Sequence, residues 1–134
     1  MKKTAIKMMA LALVIISCAK KKTNEPEPAV TDSQVPTITY LLNFNSMYSP
    51  STKVKINFKT TDNYRLKNIL LRVKNTSIDS VYLNRSILTS VKELTVLDSV
   101  VTNLTTSMAD FEVFVQVEDS AGNKAVSTRN FHVM

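Results

Sequence analysis

Few residues in this chain of 134 could do chemistry, and they stand far apart. Cys18 is the only cysteine, so no disulfide can close within the chain. His132 is the only histidine. It sits beside the C-terminus and reads as a rim residue of the last strand. A nucleophile needs a base within hydrogen-bond reach, and no such set can be assembled around it. Zinc asks for several Cys or His ligands, and a phosphate-cradling loop asks for several glycines where this chain has one. No spacing among the eleven acidic residues singles out a pair for acid–base work. We therefore expect no enzyme and no cofactor. One other grouping uses oxygen. Asp62 and Asn63 follow one β-type segment, and Asp119 and Asn123 lie in a tight turn near the end. A hard cation such as calcium takes about six to eight oxygens, so the two pairs could share one only if the fold brought their turns together.

Cys18 has its own context. Lys2, Lys3 and Lys7 precede the apolar run Met8–Ile16, and Ser17 stands before the cysteine. A basic start, a short apolar stretch and a small residue at the cut describe a secretory signal peptide. The run is shorter than the ~20 residues that cross a bilayer. Ile15-Ile16-Ser17-Cys18 resembles the lipobox of bacterial lipoproteins. That resemblance covers residues 1–18 and implies cleavage before Cys18 and lipidation of its sulfur. One acyl chain holds a protein to a membrane only marginally, and the family's several chains on one residue would make the anchor durable. An Asp directly after the cysteine can mark inner-membrane retention in such families. Ala19 stands there instead, which favours the outer membrane and leaves open its periplasmic or outer face.

Residues 18–34 read as a tether. Lys20, Lys21, Lys22, Glu25, Pro26, Glu27, Pro28 and Asp32 show no apolar periodicity and cannot bury enough surface to fold. The lysines suit a place near anionic headgroups. From Gln34 onward eleven Lys/Arg face eight Asp/Glu, which leaves about +3 dispersed over the domain. That is too little to argue for nucleic acid.

The elements that would position any site begin at residue 35. Val54-Lys55-Ile56-Asn57-Phe58-Lys59 alternates apolar and polar, the mark of a strand with one buried face. Ile69, Leu71 and Val73 alternate with Leu70, Arg72 and Lys74. Phe111, Val113, Val115 and Val117 alternate with Glu112, Phe114, Gln116 and Glu118. Weaker segments are Ile38–Leu42, Val81–Leu83, Leu94–Val101 and Val126–Val133. About seven strands over residues 35–134 predict an all-β, immunoglobulin-like antiparallel β-sandwich, with a small barrel as the alternative. Asp119-Ser120-Ala121-Gly122 suits a type I turn, with Gly122 free to take positive φ. Val126 and Thr128 fall out of phase with Phe131 and Val133, and a bulge near Arg129-Asn130 would repair the phase.

Val35-Pro36-Thr37-Ile38, Thr61-Asp62-Asn63 and Val117-Glu118-Asp119-Ser120-Ala121-Gly122-Asn123 resemble the immunoglobulin-like modules of bacterial surface lipoproteins. The resemblance spans about residues 35–133 and implies the sandwich. Its motifs say almost nothing of activity. In that topology the Asp62 and Asp119 turns share one end. Asp and Asn are also default turn residues, and dense acidic motifs are absent, so we expect turn chemistry and no metal here.

Three N-glycosylation sequons, at Asn75, Asn84 and Asn103, fit a pattern that most bacteria do not use. Asp79-Ser80-Val81, Asp98-Ser99-Val100 and Asp119-Ser120-Ala121 resemble an O-glycosylation pattern of one group of Gram-negative bacteria. Alternation also nominates a surface. Leu70, Arg72, Lys74 and Phe114 face outward on neighbouring strands, and Tyr82 would extend the patch from an edge. An exposed apolar patch rimmed by charge is a partner surface in outline. The expectation is a lipid-anchored, non-enzymatic binding or structural module of the cell envelope. The alternative is an accessory subunit of an outer-membrane transport or polysaccharide-uptake complex. The partner would be an envelope protein or a glycan, though the lack of Trp weakens glycan stacking.

Overall fold

The structure is a computed structural model that describes residues 31–102 and 108–134. The leader, Cys18, most of the tether and the sequon at Asn103 lie outside these residues. Among the described residues every regular element is a strand. They are β1 (Thr37–Tyr40), β2 (Met47–Tyr48), β3 (Lys53–Thr61), β4 (Leu66–Asn75), β5 (Ser80–Leu88), β6 (Glu93–Val101), β7 (Ala109–Asp119) and β8 (Lys124–Val133).

Two sheets face each other, in the orders β1-β3-β6 and β2-β8-β7-β4-β5. The first is the A-B-E sheet of an immunoglobulin-like sandwich, and the second holds G-F-C with one further strand beyond C. The expected sandwich is therefore present, with one more strand than anticipated. The extra strand, β2, departs from the antiparallel rule: Met47 and Tyr48 pair in parallel with His132 and Val133 of β8. The N-terminal strand is thus divided between the two sheets.

Alternation builds the core as the sequence implies. Val54, Ile56 and Phe58 of β3 face Ile69, Leu71 and Val73 of β4 and Phe111, Val113, Val115 and Val117 of β7, all essentially without exposed surface. Phe111 and Phe131 are direct cross-strand partners whose rings stack at 4.9 Å with an interplanar angle of 1°. Tyr48 and Tyr82 close the two outer sides of this stack edge-on, at 5.3 and 5.2 Å. Each such aromatic contact adds about 0.5–1.5 kcal/mol beyond the area it buries.

The expected bulge near Arg129-Asn130 is absent. The β7–β8 ladder runs unbroken from Ala109↔Val133 to Glu118↔Lys124. The phase needs no repair because the inner face of β8 simply turns polar beyond Phe131. Arg129 pairs with core-facing Val113 and lays its guanidinium over Tyr40 at 5.2 Å, while Val126 is left exposed. The real irregularities lie on β4, between Val73 and Lys74 against β5 and between Leu66 and Asn68 against β7.

Candidate functional site

The end of the sandwich that receives the N-terminal segment carries the densest group of acids. Gly122 makes its turn possible. The Asp119 N–H donates to the Asn123 carbonyl at 3.1 Å, closing a three-residue loop, and the Gly122 N–H donates to the Asp119 carbonyl at 3.3 Å. Gly122 has φ +95°, a conformation that costs a residue with a Cβ. The turn expected at Asp119–Gly122 is thus confirmed, with the positive φ where the glycine stands.

Asp119 itself is buried. Burial is the largest single influence on its carboxyl and opposes the charge. Hydrogen bonds from the Asn123 side chain and from the backbone N–H groups of Asn123, Gly122 and Ala121 together outweigh it and hold the group below the ordinary Asp value. The Asn123 N–H reaches Oδ1 at 2.8 Å, and its side-chain amide reaches Oδ2 at 2.7 Å. That same amide nitrogen also donates to the Asp32 and Gln34 carbonyls, at 3.0 and 3.2 Å. One asparagine therefore ties the hairpin to the segment ahead of β1.

The β3–β4 loop meets the same point. Asp62 Oδ2 accepts from the Tyr64 N–H at 2.9 Å, and the Asn63 amide donates to Asp32 Oδ1 at 3.0 Å. The loop and the hairpin are joined by the Ser120 N–H, which donates to the Arg65 carbonyl at 2.9 Å. Carboxylate oxygens of Asp32, Asp62 and Asp119 all lie within 4.8 Å of one another. Sequence reasoning anticipated that the Asp62 and Asp119 turns would meet. It missed Asp32, which it left in the tether, and no periodic or motif signal around Asp32 would have revealed it. At the rim, Glu118 accepts from Lys67 at 2.7 Å and pairs with Lys124 at 3.3 Å, which holds its carboxyl below the usual range.

The outer face of the five-stranded sheet carries most of the expected patch. Leu70, Arg72, Lys74 and Phe114 are half-buried there, with Arg72 directly opposite Phe114 and Leu70 opposite Gln116. The Arg72 guanidinium lies over the Phe114 ring at 5.0 Å, and Lys74 pairs with Asp79. Leu88 and Val126 are exposed on the two flanking strands, beside Asn68 and Gln116.

Tyr82 does not belong to this face. The register shift opposite Val73/Lys74 turns it inward, edge-on to Phe111, and leaves Val81 in the outward position opposite Lys74. Arg85, on the same strand, lies away from this face and pairs with Asp98 of the facing sheet at 2.9 Å. His132 is a rim residue at the far end, bonded through Nδ1 to Asp110. Among the described residues no hydroxyl or thiol is bonded to its ring. Asn75, in the first sequon, is buried, and its Oδ1 accepts from the Ser77 and Ile78 N–H groups.

No family model matches the chain, and no curated protein matches it. Among solved structures it is similar to murine CRIg, with 12% identity, 75% of this chain and 97% of that chain covered, and a TM-score of 0.40.

Proposed function

We propose that this protein is a lipid-anchored module of the bacterial cell envelope that holds a partner and catalyses no reaction. The observation that carries the reading is the leader ending in Ile15-Ile16-Ser17-Cys18, set ahead of a single sandwich with no assembled catalytic group among its described residues. Cys18 would bear the lipid, Ala19 favours the outer membrane, and the three lysines after it suit anionic headgroups. The chain enters the sandwich at the Asp62/Asp119 end, so a short tether turns that end toward the lipid. The sheet faces remain open to the envelope space.

The partner surface in this reading is the outer face around Leu70, Arg72, Lys74 and Phe114. Leu88 and Val126 extend its apolar part across four strands, and Arg72 and Lys74 with their acidic partners form the rim. An apolar centre with a charged rim is the general plan of a protein interface. A protein partner suits it better than a glycan, because the chain has no Trp for stacking.

Two measurements test the proposal. Cys18→Ala should abolish the lipidated mass and release the protein from outer-membrane fractions. Leu70→Ser with Phe114→Ser should leave the far-UV spectrum intact and lose the proteins that the wild type retains from solubilised membranes. Membrane retention of the Cys18 variant at the lipidated mass refutes the anchor. An unfolded double variant, or one that keeps every partner, refutes the binding face.

A further inference from the structure

We propose that the pocket beside Arg129 binds the C-terminal residue of a peptide, its carboxylate on the guanidinium and its apolar side chain against Phe44 and Leu42. The pocket has a volume of about 220 Å³ and is lined by Tyr40, Leu42, Asn43, Phe44 and Arg129. It exists because the N-terminal strand changes sheets. Tyr40 ends β1 in the smaller sheet, and residues 41–46 cross to β2 in the larger one. Both ends of the crossing are fixed. The Leu41 N–H donates to the Asn57 carbonyl at 2.9 Å, and the His132 N–H donates to the Ser46 carbonyl at 2.8 Å. Between them Phe44 packs edge-on against Tyr40 at 5.5 Å and rests on the core. The protein's own contacts therefore set the walls, and little ordering is left for a ligand to bring about.

Arg129 points to the chemistry. It stands opposite core-facing Val113, in the same column of β8 as buried Phe131 and Val133. Its guanidinium lies over the Tyr40 ring at 5.2 Å. Such a contact uses the face of the guanidinium plane and leaves the N–H edges free. Among the described residues Arg129 forms no ion pair and donates no side-chain hydrogen bond. No acid is among the five lining residues, so the charge of the pocket is that of Arg129 alone. A guanidinium held by its face, with an open edge, is the geometry that takes a carboxylate through two parallel N–H···O bonds.

The other walls choose among carboxylates. Phe44 and Leu42 offer an apolar surface near the guanidinium, and the Asn43 amide can serve a peptide group as donor or acceptor. The volume falls below the roughly 300–1,000 Å³ of drug-sized sites, which suits one terminal residue better than a longer ligand. An acidic sugar would bring several hydroxyls and find few partners. The Tyr40 hydroxyl exposes less than 1 Å² and is closed to it, which leaves Asn43 as the one uncharged polar side chain of the lining. The pocket is separate from the Leu70/Phe114 face and does not rest on the lipid anchor.

The test uses the full chain in detergent. The probe is the peptide acetyl-Ala-Ala-Leu with a free carboxylate, set beside the same peptide amidated. Titrating the free acid should shift the NMR signals of Asn43, Phe44 and Arg129, with a dissociation constant at or below about 1 mM. Amidation should weaken binding by about tenfold or more, and so should Arg129→Gln. Arg129→Lys keeps the charge without the fork and should fall between Arg129→Gln and the wild type. Four results would overturn the site: no shift up to about 10 mM of the free acid; equal binding of acid and amide; wild-type affinity in Arg129→Gln; or sodium glucuronate binding more tightly than the peptide, which would make the pocket a reader of acidic sugars. The acid–amide comparison is made on the wild-type chain, so it decides the matter even if a variant fails to fold.

Discussion

Gly122 offers the sharpest test of the local geometry, because its two possible costs separate. A Cβ built there meets no heavy atom within 4 Å, so substitution creates no clash. What remains is the backbone at φ +95°. A left-handed conformation costs a residue with a Cβ roughly 1–2 kcal/mol. Asn tolerates it best, Ala next, and β-branched Val worst. Restricting the unfolded chain on losing glycine acts in the opposite direction by about 0.4–1 kcal/mol. The expected net losses are about 0.5 kcal/mol for Gly122→Asn, about 1 for Gly122→Ala and about 2 for Gly122→Val. At roughly 4–8 °C per kcal/mol for a domain of this size, Val should lower the melting temperature by about 8–16 °C. Urea unfolding followed by far-UV circular dichroism, with unchanged m-values, reads all three. If Val matches the wild type, or if Asn costs more than Val, the loop does not hold Gly122 at positive φ and the hairpin is wrongly described.

Phe111→Ala removes the centre of the aromatic stack and should cost about 3–5 kcal/mol, a large part of the ~5–15 kcal/mol that holds a domain together; a urea midpoint within error of the wild type would contradict it. Asn123→Ala removes the side-chain donor that reaches the Asp32 and Gln34 carbonyls and Asp119. It should cost about 1–3 kcal/mol, with hydrogen exchange accelerating at residues 32–36 before β4 or β7. The Asp79 carboxyl is held below its ordinary value by hydrogen bonding to Lys74 and then by the lysine's charge. Its contribution is therefore present above the unfolded Asp value of about 3.9 and is lost as pH falls through the lower folded value. A carboxyl-detected NMR titration should show that lowered midpoint, and Lys74→Met should raise it back.

The long strands were legible because each buries one face. Period two survives wherever a whole strand crosses the core, as in Val54–Phe58 and Phe111–Val117. β2 has only Met47 and Tyr48, too short to show any period, and its pairing depends on where β8 ends. The second half of β8 misled for a different reason. Alternation implies apolar residues inside, yet Arg129 takes the position opposite core-facing Val113, with its guanidinium over Tyr40, and Val126 faces out. Tyr82 was misplaced because a register shift reverses every facing beyond it, and nothing in Ser80–Leu88 announces the shift. At the acidic end, the meeting of the Asp62 and Asp119 turns followed from topology alone. Asp32 did not, because its place depends on Asn123, ninety-one residues away in sequence, and side-chain amides leave no periodic trace.

The division of the N-terminal strand has a mechanical meaning. Tension entering at Thr31 is met first by the bonds of Asn123 and Asn63 to Asp32, then by the four pairs of β1 with β3. Only after β1 has peeled away does load reach β2 and its parallel grip on β8. Releasing the chain from Thr37 to Ser46 yields roughly 35 Å of slack at about 3.3–3.6 Å per residue. During that extension the five-stranded sheet stays whole, including the face built by β4 and β7. Pulled from its N-terminal end, the domain would thus lengthen before its larger sheet came apart.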